Sequence, residues 1–165
     1  MKYPERLPQV RFRPMNESDV AQVYRIEQRC FTHPWSPDLF REESQFSRFS
    51  CFRVLETDNC VIGYVGYWRT QKEAHIVSLA VDPDYRCQGW GSLMLRRILP
   101  QIKRQGLTLV TLEVRATNRA AQRLYERFGF TRVAFRRGYY KDTGEDAIVY
   151  WKRLSPGGNS TSSRP

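Results

Sequence analysis

The chain has no apolar run approaching the roughly 20 residues that a membrane-spanning helix needs, which argues against a helical membrane protein. Its first residues, Met1-Lys2-Tyr3-Pro4-Glu5-Arg6, lack the apolar core of a signal region, so a cytoplasmic protein is expected. Cysteine is scarce. The four present, Cys30, Cys51, Cys60 and Cys87, show no C-x-x-C and no zinc-ligand spacing. Free thiols and no metal are therefore expected. Arg and Lys are scattered rather than run together, which argues against a dedicated nucleic-acid arm. There is no internal repeat, no G-x-x-x-x-G-K-[ST] and no G-x-G-x-x-G, so two common phosphate loops are excluded.

What is present fits a folded domain. Apolar residues make up 41% and aromatics 13% of 165 residues, too many for a disordered chain and enough for one real core. We expect that domain over residues 10–154, after an N-terminal extension of 1–9. The Gly/Ser/Pro-rich tail, 155–165, reads as disordered. The net charge of +10 suits an anionic partner, such as a coenzyme with several phosphates or nearby ribosomal RNA; a plain solvated basic surface explains it equally well.

Along the chain, Val10-Arg11-Phe12-Arg13 alternates as a strand and stops at Pro14. Asn16 can cap a helix from Glu17 to Cys30, with Val20, Val23, Tyr24 and Ile26 inward. Ser36 caps a short second helix with Pro37 at its first position. Ser50–Glu56 and Val61–Trp68 read as strands joined at Asp58-Asn59, and Glu73–Val81 continues the antiparallel meander. A helix bearing Leu93, Leu95, Ile98, Leu99 and Ile102 follows, with Pro100 expected to kink it. Leu107–Val114 is a strand, and a helix starting at Thr117 or Asn118 is closed by Gly129. Thr131–Phe135 and Ala147–Lys152 read as a closing hairpin with a long loop, Arg136–Asp146.

The organising feature is Arg86-Cys87-Gln88-Gly89-Trp90-Gly91, between an apolar strand and a helix. Such a junction aims backbone N–H groups and the positive end of a helix dipole at one spot, a phosphate or pyrophosphate site. Gly89 and Gly91, without Cβ atoms, allow close approach.

This R-x-x-G-x-G, preceded by Leu79-Ala80-Val81-Asp82-Pro83, resembles the acetyl-CoA pyrophosphate loop of the GCN5-related N-acetyltransferases. Leu112-Glu113-Val114-Arg115, Asn118, the run Leu124-Tyr125-Glu126-Arg127-Phe128-Gly129-Phe130, Tyr139-Tyr140 and Glu145-Asp146-Ala147 are similar to the RimI-type ribosomal-protein alanine N-acetyltransferases. Ile26-Glu27-Gln28-Arg29 and Pro34-Trp35-Ser36 match that family too. The resemblance covers roughly Val10 to Trp151. It implies an α+β fold, a mostly antiparallel twisted sheet of six or seven strands flanked by about four helices.

By position, the resemblance also implies roles. Leu79, Ala80 and Val81 would meet the pantetheine arm and thioester, and Cys87, Gln88, Gly89, Trp90, Gly91 and Ser92 the pyrophosphate. Asn118 would contact the coenzyme, Glu113 accept a proton and Tyr125 donate one. The plainer alternatives are Glu113 paired on the surface with Arg115, Tyr125 as a core aromatic, and Asn118 as a simple cap. Trp35, His75, Tyr139 and Tyr140 are candidates for the acceptor groove, against packing roles for each. Cys87, where the family often has a basic residue, the large Trp90 and Pro100 depart from the pattern.

The expected function is acetyl transfer from acetyl-CoA, a co-substrate, to the α-amine of a protein, by resemblance the N-terminal alanine of a small-subunit ribosomal protein. A lysine or small-amine acceptor, or a non-catalytic CoA- or RNA-binding module, are the alternatives. The expected partners are a ribosomal protein N-terminus, with ribosomal RNA nearby and no membrane, and the chain is expected to be a monomer or weak dimer.

Overall fold

A computed structural model describes residues 9–155; the tail from 156 onward and the first eight residues lie outside the described residues. Seven strands form one sheet in the order β1-β2-β3-β4-β5-β7-β6. They are β1 Val10–Pro14, β2 Ser50–Thr57, β3 Cys60–Arg69, β4 Glu73–Val81, β5 Leu109–Arg115, β6 Thr131–Tyr140 and β7 Glu145–Arg153. All neighbours are antiparallel except β4 and β5. Four α-helices flank the sheet: α1 Val20–Cys30, α2 Pro37–Arg41, α3 Trp90–Arg104 and α4 Arg119–Arg127.

Local chemistry sets the elements. Asn16 and Asp19 form a capping box around a single 3₁₀ turn, Glu17–Asp19, so α1 itself begins at Val20, three residues later than the sequence suggests. Ser36 accepts from the Leu39 N–H, and Pro37 opens α2. Asp58 and Asn59 both have positive φ, 48° and 63°, as a two-residue hairpin turn requires.

The sheet separates two apolar layers. Val20, Val23 and Ile26 of α1 and Phe40 of α2 pack on Phe52, Val54 and Tyr64. Leu95, Ile98 and Ile102 of α3 pack on Val65, Tyr67, Val110 and Tyr150. Tyr64 and Val65 are adjacent yet belong to opposite layers, as the two-residue strand period dictates. α3 continues as helix through Pro100 to Arg104.

The closing hairpin corrects the sequence reading. Residues 136–140 are strand, and the connection is the short turn 141–144 rather than a long loop. Pairing to β7 overrides the local break at Gly138, whose φ of +57° is accommodated at an irregular register between Arg136 and Tyr140.

Candidate active site

The site begins where β4 and β5 part. They pair only over Glu73–Leu109, Ala74–Val110 and His75–Thr111. Beyond that the strands diverge, leaving the facing edge of β4 from Ile76 onward without a strand partner. A bulge in the β3–β4 ladder, where Gly66 faces Ser78 and Tyr67 faces Ile76, leaves Val77 unpaired at the same level. The gap is a cavity of about 570 Å³ whose walls include Ser78 and Leu79 of β4, Glu113 of β5 and Tyr125 of α4.

Glu113 is not paired with Arg115. Its Oε2 lies 3.0 Å from His75 Nε2, and its Oε1 3.6 Å from an Arg136 guanidinium nitrogen. The His75 ring, and Arg136 beyond it, hold the Glu113 carboxyl below the usual range against the opposing effect of burial. Behind it, His75 Nδ1 is 2.8 Å from Thr111 Oγ1, which donates to Glu73 Oε1 at 2.6 Å. Because the Thr111 proton points at Glu73, its oxygen must accept from His75 Nδ1–H. On the other side of the ring, Nε2 faces Glu113. His75 stands behind Glu113 rather than in the cavity wall. Arg115 lines the same cavity but has other partners: it bonds Asp142 at 2.7 Å and Glu145 at 3.4 Å and stacks on Tyr140.

Tyr125 reaches the cavity from α4 and is also a core aromatic, packed edge-on against Phe130. Burial raises its phenol pKa, so it stays protonated at working pH. Among the described residues its hydroxyl has no hydrogen-bond partner. Asn118 caps α4 by accepting from the Ala121 N–H at 3.1 Å, and lines the cavity too.

A second cavity of about 560 Å³ lies beside the glycine turn. It is lined by Leu79, Ala80, Val81, Cys87, Gly89, Trp90, Gly91, Ser92 and Asn118. Gln88 is not in its wall; its side chain accepts from the Trp90 indole at 3.3 Å. Gly89 caps α3 with φ +84° and no side-chain acceptor, so no capping side chain takes up the first N–H groups of the helix. Cys87 also has positive φ, 59°. Gly91 is small for a different reason: a Cβ there would sit 3.2 Å from Leu124, so it permits α3 to approach α4. The two cavities share Cys30, Phe31, Leu79, Asn118 and Ala121 and so join.

Trp35, Tyr139 and Tyr140 wall the first cavity. Trp35 also packs on Phe40 and stacks on Trp68 at 6.3 Å, so it is both wall and core lid. The loop after α1 is tied to the turn after β6, since Thr32 donates to Asp142 at 2.6 Å. Sequence reasoning gave no role to Glu27, which is 4% exposed in the apolar face of α1 and lines the first cavity. A charge inside the helix's apolar stripe was the available signal. Arg136, Thr111 and Glu73 were missed as well, because only strand register brings them to Glu113 and His75.

A family model described as Acetyltransferase (GNAT) family matches residues 20–130. The chain belongs to the GNAT acetyltransferase family. A Bacillus subtilis (strain 168) relative of this acetyltransferase is 37% identical over 143 residues, 87% of this chain and 95% of its own. The [Ribosomal protein bS18]-alanine N-acetyltransferase of Escherichia coli (strain K12) is 35% identical over 137 residues, 82% of this chain and 91% of its own. The crystal structure of the ribosomal-protein-S18-alanine N-acetyltransferase from Escherichia coli superposes with a TM-score of 0.82 at 32% identity. The match covers 92% of this chain and 98% of that one. No helix among the described residues of the acetyltransferase is long and apolar enough to cross a membrane.

Proposed function

We propose that this acetyltransferase moves acetyl from acetyl-CoA to the α-amine of a protein N-terminus, the alanine of a bS18-type ribosomal protein. The observation that carries the reading is the convergence of Glu113 and Tyr125 on one cavity that joins a second at an uncapped helix N-terminus. Such an acceptor would set the reaction in the cytoplasm.

The residues fit the coenzyme. The free N–H groups at the start of α3, from Trp90 to Ser92, suit a pyrophosphate, and the unpaired edge of Leu79–Val81 suits the amide-bearing arm. Asn118 stands where the two cavities meet, whereas Gln88 lines neither. When bound, acetyl-CoA supplies the acetyl group as a thioester.

The remaining chemistry belongs to the chain. An α-ammonium has a pKa near 8, so only about a tenth is neutral at pH 7. Glu113, steadied by His75, takes a proton from it. A backbone N–H on the free edge of β4 faces charge developing on the carbonyl oxygen. Tyr125, kept protonated by burial, gives its proton to the departing sulfur. Trp35, Tyr139 and Tyr140 enclose the incoming chain end.

The test offers intact bS18 with a free N-terminal alanine, with acetyl-CoA, to wild type and to Tyr125→Phe, read by mass spectrometry. Wild type should acetylate the alanine, and the variant should do so about 10²–10⁴-fold more slowly. An unmodified bS18, or a variant as fast as wild type, contradicts the reading.

A further inference from the structure

Acetylation strips two protons from one nitrogen, the first from the ammonium before it attacks and the second as the amide forms. The sulfur leaves with one and solvent receives the other. Glu113 with His75 is one acceptor, already engaged by a ring nitrogen and a guanidinium. A second carboxylate, Glu27, lines the same cavity from α1.

Glu27 is 4% exposed, and its oxygens are bonded in a fixed pattern. Oε1 accepts from the Trp35 N–H at 3.1 Å, and Oε2 accepts from the Tyr64 hydroxyl. Tyr64 Oη is in turn 2.8 Å from Ser78 Oγ. The single Tyr64 proton is committed to Glu27, so Ser78 must be the donor between the two hydroxyls. That leaves the Ser78 lone pairs free to accept, and Ser78 lies in the cavity wall beside the β4 bulge. The titratable groups facing Glu27 are Tyr64 from β3 and Cys30 one turn further along α1. Among the described residues no Lys, Arg or His pairs with it.

We propose that Ser78, Tyr64 and Glu27 form a second proton exit from the acceptor nitrogen. The nitrogen's N–H proton passes to Ser78 Oγ, the Ser78 proton to Tyr64 Oη, and the Tyr64 proton to Glu27 Oε2. Both hydroxyls end as they began, Glu27 is neutral, and its proton later returns to solvent. Burial raises the Glu27 pKa while His75 lowers that of Glu113. Two carboxyls pushed apart in this way suit two different proton transfers.

The inference rests on the amine-acetylation reading above, and its test separates the two. Wild type, Tyr64→Phe and Glu113→Gln are each given two peptides, one beginning with alanine and one with 3-fluoroalanine, whose α-amine is far less basic. Tyr64→Phe should lower kcat about 10²-fold on both peptides, because the second proton must leave either amine. The deficit of Glu113→Gln should shrink on the fluoroalanine peptide, which needs little help with its first proton. Ser78→Ala leaves the buried Tyr64–Glu27 pair intact and should show the same deficit as Tyr64→Phe, even if the latter fails to fold. A wild type that acetylates neither peptide overturns both readings. A wild type that acetylates alanine, with Tyr64→Phe and Ser78→Ala within twofold of it, overturns the relay alone. A Tyr64→Phe deficit that shrinks on fluoroalanine as the Glu113→Gln deficit does also overturns it.

Discussion

Single side chains in this acetyltransferase do different work from their sequence neighbours. Glu113 and Arg115, two residues apart on β5, share a strand face and both line the cavity, yet one contacts His75 while the other anchors the turn after β6. The Glu113 carboxyl is held below its ordinary range by the His75 ring, with Arg136 adding to the effect and burial opposing it. A carboxylate depressed in the folded state stabilises the fold above its unfolded pKa, roughly 4.3. That contribution fades as pH falls through the lower folded value. Glu113→Gln has no such term. Thermal melts of the two proteins should differ most near pH 6, and the gap should close toward pH 3. A gap that is the same at both pH values would mean that the His75 contact does not stabilise the carboxylate.

Elements carry the site by where they start and where they stop pairing. α3 is capped by Gly89 with φ +84°, a backbone that costs a non-glycine residue about 1–2 kcal/mol. Gly89→Glu adds that strain and places a carboxylate among the N–H groups proposed for the pyrophosphate. Gly106→Ala, at φ +79° beyond the other end of α3, adds comparable strain alone. Calorimetry should show acetyl-CoA binding lost in the first variant and kept in the second; equal binding in both would detach the glycine turn from the coenzyme. Much of this level was legible in the sequence. Alternation marked β1, strand-like segments marked β2 to β4, and Asn16, Ser36 and Asn118 announced their caps. The divergence of β4 from β5 was not legible, since no residue at 76 or 112 signals that pairing ends there. The strand over 136–140 was hidden by Arg136-Arg137-Gly138, which breaks the local pattern until β7 supplies a partner. Glu113 and Tyr125 came from motif resemblance, whereas the contact of Glu113 with His75 depends on the parallel register of two strands 36 residues apart at His75 and Thr111.

At the scale of the whole molecule, the splayed sheet joins two cavities through shared residues, Leu79 and Asn118 among them. A coenzyme lying along the glycine turn and an acceptor entering past Trp35 and Tyr139 would meet between β4 and β5. In that arrangement acetyl would pass directly from thioester to amine, with no need for a nucleophile on the protein. Energetics select the acceptor. Deprotonating an α-amine at pH 7 costs about 1 kcal/mol, against about 4–5 kcal/mol for a lysine with pKa near 10.4. Glu113, with its pKa lowered, suits the smaller task. The most direct measurement offers wild type and acetyl-CoA two peptides at equal concentration, one with a free alanine N-terminus and no lysine, the other with a blocked N-terminus and one lysine. The account predicts that the alanine peptide is acetylated much the faster; faster acetylation of the blocked, lysine-bearing peptide would contradict it.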